Sequence, residues 1–380
     1  MTATTSSPFG GTDLPLGSTT IGDRLRIGFI THLDHSEDPR FVYRDTIRLI
    51  QELEELGYDS AWIATRHFHS GWAALPSPYG FLGALAAATS TIGLGTAVLP
   101  IILDDPVRAA EEVAAIDHLA GGRLLLGLGK GVPSDSYHVF HTWTNDRDTS
   151  FENQIDRLHW ALQGGVVDGG TGAIWPQNTA LEGRLFHGSS NIDTIRFAGR
   201  TGDGFILERF GNGPERHPDA RAAFQRRQAD SVREYRRVFA DTWGSTRTPW
   251  VVTSRSAFPG RTTEEALALA GERTARWNVA SAAAGRVDLS LSIPDQLLSD
   301  NFAWGSPEAL AADLLADPTI ALTDELVLGI HPAVLDRAET IDRARVLLRE
   351  VVPLVEEGWR AQRASALAEV NARADTLQGG

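Results

Sequence analysis

Short apolar runs alternate with longer segments of helical period along most of the chain. The run LRIGFI at 25–30 is followed by Val42, Leu49 and Leu53, which lie at helical spacing. Gly57 then stands where a glycine commonly ends a helix. A strand followed by a helix, repeated along the chain, is typical of a parallel sheet covered by helices. The pattern therefore predicts an α/β protein.

The number of apolar runs indicates which α/β fold to expect. Strands are predicted at 25–30, 60–63, 92–98, 123–128, 183–188, 204–207, 249–254 and 324–330. Eight strands separated by helical segments predict a (β/α)₈ TIM barrel, with an insertion at 283–304 before the last strand. An open doubly wound sheet is the alternative, and it requires several of the weaker strands to be absent.

The chain is expected to divide into three parts. Residues 1–23 are rich in Ser, Thr, Gly and Pro and lack an apolar block, so we expect a flexible leader rather than a signal peptide. Residues 24–355 are assigned to the barrel, and residues 356–380 to a C-terminal helical tail.

Composition narrows the class of partner. The chain has 380 residues, of which 42% are hydrophobic and 22% charged, and its net charge is −14. A strongly acidic chain without a clustered basic face does not suit nucleic acid or an anionic membrane, so we expect a small-molecule substrate. There is no cysteine, which excludes a thiolate nucleophile and disulfides, and redox chemistry would need a bound cofactor. A cytoplasmic protein is the simplest expectation.

One lysine stands out because the chain contains no other. Lys130 lies between Gly129 and Gly131, directly after the fourth predicted strand. In a barrel, functional groups belong on the loops at the C-terminal ends of strands. Glycines there let backbone amides approach an anion, and the ammonium adds a point charge. A glycine-rich turn is often purely structural, but this one favours a phosphate-bearing ligand.

The next predicted strand supports the same interpretation. Hydroxyls from Ser189, Ser190 and Thr194 follow it, just before a segment of helical period. The N-terminus of a helix favours an anion, so these hydroxyls and Lys130 are expected to hold one phosphate.

The loop after the second strand carries Arg66, His67 and His69. The histidines suit a metal ion in principle, but the loop contains no acidic residue to complete a site, and we expect none. Catalytic roles and ordinary structural roles both stay open here, including a salt bridge from Arg66 to a neighbouring carboxylate.

Several motifs together resemble the bacterial luciferase-like flavin monooxygenases. They are GTAVLP at 95–100, DHLAGGR at 117–123 and GLGKG at 127–131. The resemblance is dense over 58–164 and patchy as far as residue 355. The combination is fairly specific for the superfamily and much less specific for a reaction.

The resemblance implies a reaction and its partners. Such a barrel takes up reduced FMN, reacts it with O2 to a flavin C4a-hydroperoxide and oxygenates a small organic substrate. A separate flavin reductase would supply the FMNH2, since no second nucleotide-binding fingerprint is found. A homodimer or homotetramer is implied in the same way. Two alternatives stay open: an oxidoreductase that uses the deazaflavin F420, and a flavin-binding protein that has lost catalysis.

The resemblance also implies which residues hold the cofactor. Lys130 stands where a phosphate-binding arginine is usual, the backbone amide of Val132 would assist, and Arg147 is a second cation. A non-proline cis peptide is implied between Ala97 and Val98, beside the flavin ring.

The match to the family's catalytic loop contains one departure. Many members read Glu-His-His where this chain reads Thr65-Arg66-His67, so Arg66 replaces the usual catalytic histidine. Arginine is a permanent cation and a poor proton shuttle. Arg66 is therefore expected to stabilise negative charge on the peroxide or the substrate, and His67 to handle a proton.

Overall fold

In the part of the chain that the structure describes, ten parallel strands lie among helices, and eight of the strands close into a barrel. The computed structural model describes residues 24–378 except 34–37, 69–74, 132–134, 143–145, 167–168, 171, 212–216, 284–286 and 334. The strands are β1 Arg26–Thr31, β2 Ser60–Ile63, β3 Gly93–Thr96, β4 Leu99–Pro100, β5 Leu124–Gly129, β6 Leu185–Gly188, β7 Gly204–Leu207, β8 Val251–Pro259, β9 Phe302–Gly305 and β10 Glu325–Gly329. The barrel closes because β10 pairs with both β1 and β8. The predicted (β/α)₈ barrel is confirmed, and the open sheet is excluded.

Helices connect the strands around the outside. They are α1 Pro39–Leu56, α2 Tyr79–Ala88, α3 Pro106–Leu119, α4 Asp135–Val139, α5 Arg147–Leu162, α6 Ile192–Thr201, α7 Arg221–Trp243, α8 Thr263–Ala283, α9 Ile293–Ser299, α10 Pro307–Ala316, α11 Arg337–Val346 and α12 Val352–Gln378. Their ends follow local chemistry. Asp105 caps α3 by accepting from the backbone N–H groups of Val107 and Arg108, and Gly57 ends α1 at a φ of 100°.

The predicted insertion contains a strand that the pattern did not reveal. The first half of β8 pairs with β10, and its second half pairs with β9. β8 therefore runs on to Pro259, beyond the predicted end at residue 254. The insertion at 283–304 contains α9 and most of β9.

Large side chains pack inside the barrel towards the N-terminal ends of its strands. Trp62 is fully buried and packs edge-on against Phe186, with ring centroids 5.5 Å apart. Its indole N–H donates to Glu325 at 2.9 Å, and Arg26 donates to the same carboxylate at 3.2 Å. These polar groups lie where β1, β2 and β10 begin, at the end of the barrel opposite the one at which barrel proteins bind their ligands.

The division of the chain into three parts stays a prediction. Residues 1–23 lie outside the described residues. The helix α12 passes the predicted boundary between 355 and 356 without interruption, and its Trp359 is buried. Within the part of the chain that the structure describes, no helix is long and apolar enough to cross a membrane.

Candidate functional site

A cavity of about 800 Å³ lies at the C-terminal ends of the strands. The segments that end or follow β1, β2, β3, β5, β6 and β7 line it, together with Ser254 inside β8. Most of the residues predicted from the sequence meet there, namely Arg66, Ala97, Val98, Lys130, Arg147, Ser189 and Ser190. A space of this size suits a small-molecule ligand or cofactor.

The ammonium of Lys130 is held at the edge of this cavity. It donates to the carboxylate of Asp148 and, at 2.6 Å, to the hydroxyl of Thr194. The side chain of Lys130 is 13% exposed, whereas that of Asp148 is 54% exposed. A mostly buried cation therefore borders the cavity, with a solvent-exposed carboxylate as its counterion.

Arg147 supports the turn that carries Lys130. It is the first residue of α5, and its guanidinium donates to the carbonyl oxygens of Lys130, at 3.2 Å, and of Gly131. It also donates to the hydroxyl of Tyr137 at 3.2 Å, and Tyr137 in turn donates to the carbonyl of Lys130. The same guanidinium lines the cavity, so Arg147 both fixes the loop and adds positive charge to the site.

The start of α6 forms the neighbouring wall. Asn191 caps this helix by accepting from the backbone N–H of Asp193 at 2.8 Å, and Ser189 accepts from the N–H of Asn191 at 3.0 Å. Ser189 and Ser190 line the cavity, while Thr194 reaches the site through its contact with Lys130. Val132, the remaining predicted phosphate contact, lies outside the described residues.

The peptide between Ala97 and Val98 is cis, as the resemblance implies. Thr65 holds it from one side by donating to the carbonyl of Val98 at 2.5 Å. The Val98 side chain fills the space beside Gly129 and Gly188, where an added Cβ would lie 2.4 Å and 2.8 Å from its γ carbons. Because Gly129 and Gly188 have no side chains, the Val98 side chain can occupy this space at the cavity wall.

Arg66 and His67 are not brought together in this cavity. Arg66 lines it, and its backbone N–H donates to the carbonyl of Leu75 at 3.0 Å. His67 is absent from the described lining, and its ring packs edge-on against Phe140 at 4.8 Å. Burial lowers the pKa of His67, partly offset by Asp104. The predicted pairing of Arg66 with His67 at one reactive edge is therefore not seen.

Two residues that line the cavity, His32 and Arg209, were not predicted as site residues, whereas His331 beside them was expected at the substrate pocket because it follows the last predicted strand. His32 and Arg209 line it directly after β1 and β7, and Arg209 donates to His331 Nδ1 at 3.0 Å. His331, after β10, stacks on His32 with ring centroids 4.1 Å apart. Burial first, then Arg209 and Arg66, hold the pKa of His32 well below its usual value of 6.5. Their position after predicted strands was the available signal for these residues.

The described residues contain no metal-binding cluster of side chains. No group of three His, Asp or Glu side chains there is arranged to hold a metal ion. His69, one of the histidines weighed as a ligand, lies outside the described residues.

Fold and cavity together define a (β/α)₈ barrel with a ligand cavity at its C-terminal mouth. A sequence model of the luciferase-like monooxygenases matches residues 26–318, which is more than half of the chain. The chain belongs to this family.

Individual relatives are similar over parts of their length. The 4-hydroxyprotoasukamycin monooxygenase of Streptomyces nodosus subsp. asukaensis is 33% identical over 129 residues, covering 34% of each chain. An F420-dependent glucose-6-phosphate dehydrogenase of Beutenbergia cavernae is 30% identical over 195 residues, covering 48% of this chain and 56% of the relative. These matches span from about a third to just over half of the relatives' own length.

Solved structures extend the similarity to most of the chain. One is the oxygenating constituent of 3,6-diketocamphane monooxygenase from Pseudomonas putida, a type II Baeyer-Villiger monooxygenase in complex with FMN. It superposes with a TM-score of 0.65 at 15% identity, covering 87% of this chain and 98% of that one. At this identity the likeness establishes the fold.

Proposed function

We propose that this protein is a flavin-dependent monooxygenase that uses reduced FMN and O2 to oxygenate a small organic substrate. When bound, the reduced flavin supplies two electrons and two protons, so that one oxygen atom enters the substrate and the other leaves as water. The observation that carries the proposal is the mostly buried ammonium of Lys130 at the edge of a cavity that also contains the cis peptide of Ala97 and Val98.

The residues around Lys130 fit the phosphate of FMN. Lys130 and Arg147 supply two positive charges, and Ser190 lines the same wall. A bound phosphate would take the place of the Asp148 carboxylate at Lys130, since both are anions that accept from the same ammonium. Asp148 is more than half exposed and can turn towards solvent.

The other wall fits the flavin ring and the reaction. Ala97 and Val98 would contact the ring system, and Arg66 lines the same cavity from the β2 loop. A guanidinium is a permanent cation, so Arg66 would face negative charge that develops during oxygen transfer, without moving a proton.

F420 is the competing cofactor. A relative is described as F420-dependent, so the cofactor must be tested on this chain. F420 carries a long acidic tail, whereas Asp146 and Asp148 line the cavity beside Arg147. Such a tail would need basic groups beyond Lys130 and Arg147, which are the two cations that the FMN phosphate already uses. The smaller anion therefore suits this end of the cavity better, which favours FMN.

The remaining parts of the proposal concern partners. A separate flavin reductase would supply FMNH2, and O2 and an organic molecule would be the other reactants. Assembly into a homodimer or homotetramer is carried over from the family resemblance. Sedimentation at micromolar concentration tests it, and a monomer would contradict it.

Anaerobic titration of the full-length protein with FMNH2 and, separately, with F420H2 tests the cofactor. We expect saturable FMNH2 binding that is at least tenfold tighter than F420H2 binding. Tighter binding of F420H2 would replace the proposal by the F420-dependent alternative. FMNH2 that binds but is oxidised by O2 at the rate of free flavin, for every substrate offered, would favour a flavin-binding protein without catalysis.

A further inference from the structure

One buried histidine contacts both helices that begin beside Lys130. His187, on β6, is fully buried. Its ring meets the ring of Phe151 on α5 edge-on, with centroids 5.4 Å apart, and the ring of Phe197 on α6 at 5.5 Å. Both phenylalanines lie in the second turn of their helices, close to the helix starts. The His187 ring therefore contacts α5 and α6 just behind the ends that border the cavity.

The first turns of the same two helices are linked at the cavity edge. Lys130 donates to Asp148 on α5 and, at 2.6 Å, to Thr194 on α6. Asn191, which caps α6, donates to the other carboxylate oxygen of Asp148 at 3.4 Å. Each of these links spans the space between α5 and α6. The position of the Lys130 ammonium therefore depends on how far apart the two helix starts lie.

Phe151 connects His187 to Lys130 directly. The Lys130 ammonium lies 5.8 Å from the centre of the Phe151 ring, which is the same ring that His187 contacts. Phe151 is fully buried, and protein interiors are close-packed. A smaller side chain in place of His187 would therefore let Phe151 shift, and the Lys130 ammonium would lose part of its support.

The ring of His187 is itself fixed in place. Its Nε2 donates to a carboxylate oxygen of Asp203 at 2.8 Å, and the hydroxyl of Thr201 donates to the same oxygen at 2.9 Å. Its Nδ1 has no hydrogen-bond partner, so packing alone holds that edge of the ring. A ring anchored at one nitrogen and packed against two aromatic side chains has little freedom to turn.

We propose that His187 is a positioning residue that sets the separation of α5 and α6, and so holds Lys130 and Arg147 where both contact the phosphate of the flavin. This inference rests on the proposed function, because it concerns the phosphate site of that flavin. His187 is absent from the described lining of the cavity, so it acts through the two helices. Supporting residues of this kind matter because a binding site loses affinity when its groups are displaced by about 1 Å.

The ratio of the dissociation constants of reduced riboflavin and FMNH2 tests the inference, because it measures the contribution of the phosphate separately from that of the ring system. His187→Gln keeps an N–H donor for Asp203 and removes the aromatic ring. We expect it to lower this ratio about tenfold, with weaker FMNH2 binding and unchanged riboflavin binding. Anaerobic titration of the full-length protein measures both constants. An unchanged ratio would overturn the inference.

His187→Phe makes the converse change, since it keeps a ring and removes the hydrogen bond to Asp203. The ratio should stay within about twofold of the wild-type value, because the ring still fills the space against both helices. A fall as large as that in His187→Gln would overturn the inference, since the hydrogen bond rather than the spacing ring would then be responsible.

Phe197→Leu tests the same contact from α6, and it keeps the inference testable if the His187 variants fold poorly. It should lower the ratio severalfold, and an unchanged ratio would overturn the inference. Tyr58→Phe is the control, because it removes a buried hydrogen bond to the carbonyl of Ala344, outside the contacts around His187. It should lower the stability, measured by denaturant unfolding, without changing the ratio. An equal fall of the ratio in the control would overturn the inference, since any loss of stability would then produce it.

Titration with F420H2 separates this inference from the proposed function. Wild-type protein that binds F420H2 more tightly than FMNH2 would overturn the proposed cofactor. Weaker F420H2 binding in His187→Gln would then still support the inference, because F420 also carries a phosphate. Unchanged F420H2 binding in that variant would overturn it. All of these are binding measurements, so they do not depend on whether the bound flavin oxygenates a substrate.

Discussion

At the scale of single residues, Lys130 shows how far a sequence can indicate a site. Its uniqueness and its flanking glycines predict an anion site, and the structure places it at the cavity edge. The sequence does not reveal its counterion, because Asp148 reaches it only once α5 starts beside the turn. The contact between Arg209 and His331 cannot be predicted from local sequence either, because the two residues are 122 positions apart in the chain.

Replacing Lys130 by Ala should weaken binding of FMNH2 by about ten- to a hundredfold, the usual effect of losing a charge-assisted contact. Dephosphorylated reduced riboflavin should bind almost as before, because it has no phosphate to lose. Anaerobic titration with both flavins measures the difference. Lys130→Arg keeps the charge and serves as the control. Equal losses for the two flavins would show that Lys130 does not contact phosphate.

Asp148→Asn should have the opposite effect. The carboxylate of Asp148 accepts a hydrogen bond from the Lys130 ammonium and would repel a phosphate. The neutral amide of asparagine would not repel it, so FMNH2 should bind severalfold more tightly. Binding of reduced riboflavin should change little. The same titrations apply, with Asp342→Asn as the control on an exposed helix surface. Weaker FMNH2 binding in Asp148→Asn would mean that the carboxylate positions Lys130 instead of competing with phosphate.

At the scale of elements, the ends of β5 and β6 create the space for Val98. In Gly129→Ala, the new Cβ would lie 2.4 Å from a Val98 γ carbon. We expect a loss of about 1–3 kcal/mol in the free energy of unfolding, as in other overpacked sites, together with weaker FMNH2 binding. Denaturant unfolding and flavin titration measure the two effects.

Gly83→Ala is the matched control for this change. Gly83 lies inside α2, and an added Cβ there meets nothing within 4 Å. Alanine should stabilise the helix by about 0.5–1 kcal/mol and leave flavin binding unchanged. If Gly129→Ala were as stable as Gly83→Ala and bound flavin equally well, the result would contradict the close approach of Val98 to β5.

A buried charge network joins α5 to β6 and the turn before β7. His159 and His187 contact the same oxygen of Asp203, at 2.9 Å and 2.8 Å. Burial by itself would lower the pKa of His159, but Asp203 and Glu182 outweigh it and raise the pKa to about 10. Burial would likewise raise the pKa of Asp203, and the histidines hold it below its usual value. Asp203 and His159 are therefore both ionised at neutral pH.

Replacing His159 by Gln should lower the free energy of unfolding by about 3–5 kcal/mol at pH 6, because the charge of Asp203 loses a buried partner. Since the folded state raises the pKa of His159, its contribution is complete below pH 6.5 and is lost as the pH rises through about 10. The difference from wild type should therefore shrink in that window. Denaturant unfolding across this range measures it, with His118→Gln as the exposed control. A difference independent of pH would contradict the charge assignment.

Some elements could be predicted and one could not. Runs such as 25–30 and 123–128 are apolar throughout because barrel strands are buried on both faces, and their strands lie within one residue of the predicted bounds. The strand β9 escaped prediction because FAWG at 302–305 falls in the segment assigned to the insertion, and β9 pairs with the end of β8 rather than closing the barrel. Nothing local shows that β8 extends far enough to pair with it.

At the scale of the whole molecule, closure of the barrel gathers residues that are remote in sequence around one cavity. The order of strands and helices was sufficient to predict this fold, because few arrangements bury eight parallel strands. The site was predictable only as a set of loops. Which side chains line the cavity depends on loop conformations, as the packing of His67 against Phe140 illustrates.

The reaction of the flavin-loaded protein with O2 tests the central claim most directly. The full-length protein is saturated anaerobically with FMNH2, mixed with oxygenated buffer, and followed by flavin absorbance and by released hydrogen peroxide. The account predicts that oxidised flavin returns more slowly than from free FMNH2, and that peroxide appears with it only at the end of the reaction. Reoxidation and peroxide release at the rates of free FMNH2 would contradict the claim that this cavity controls the reaction of a reduced flavin with oxygen.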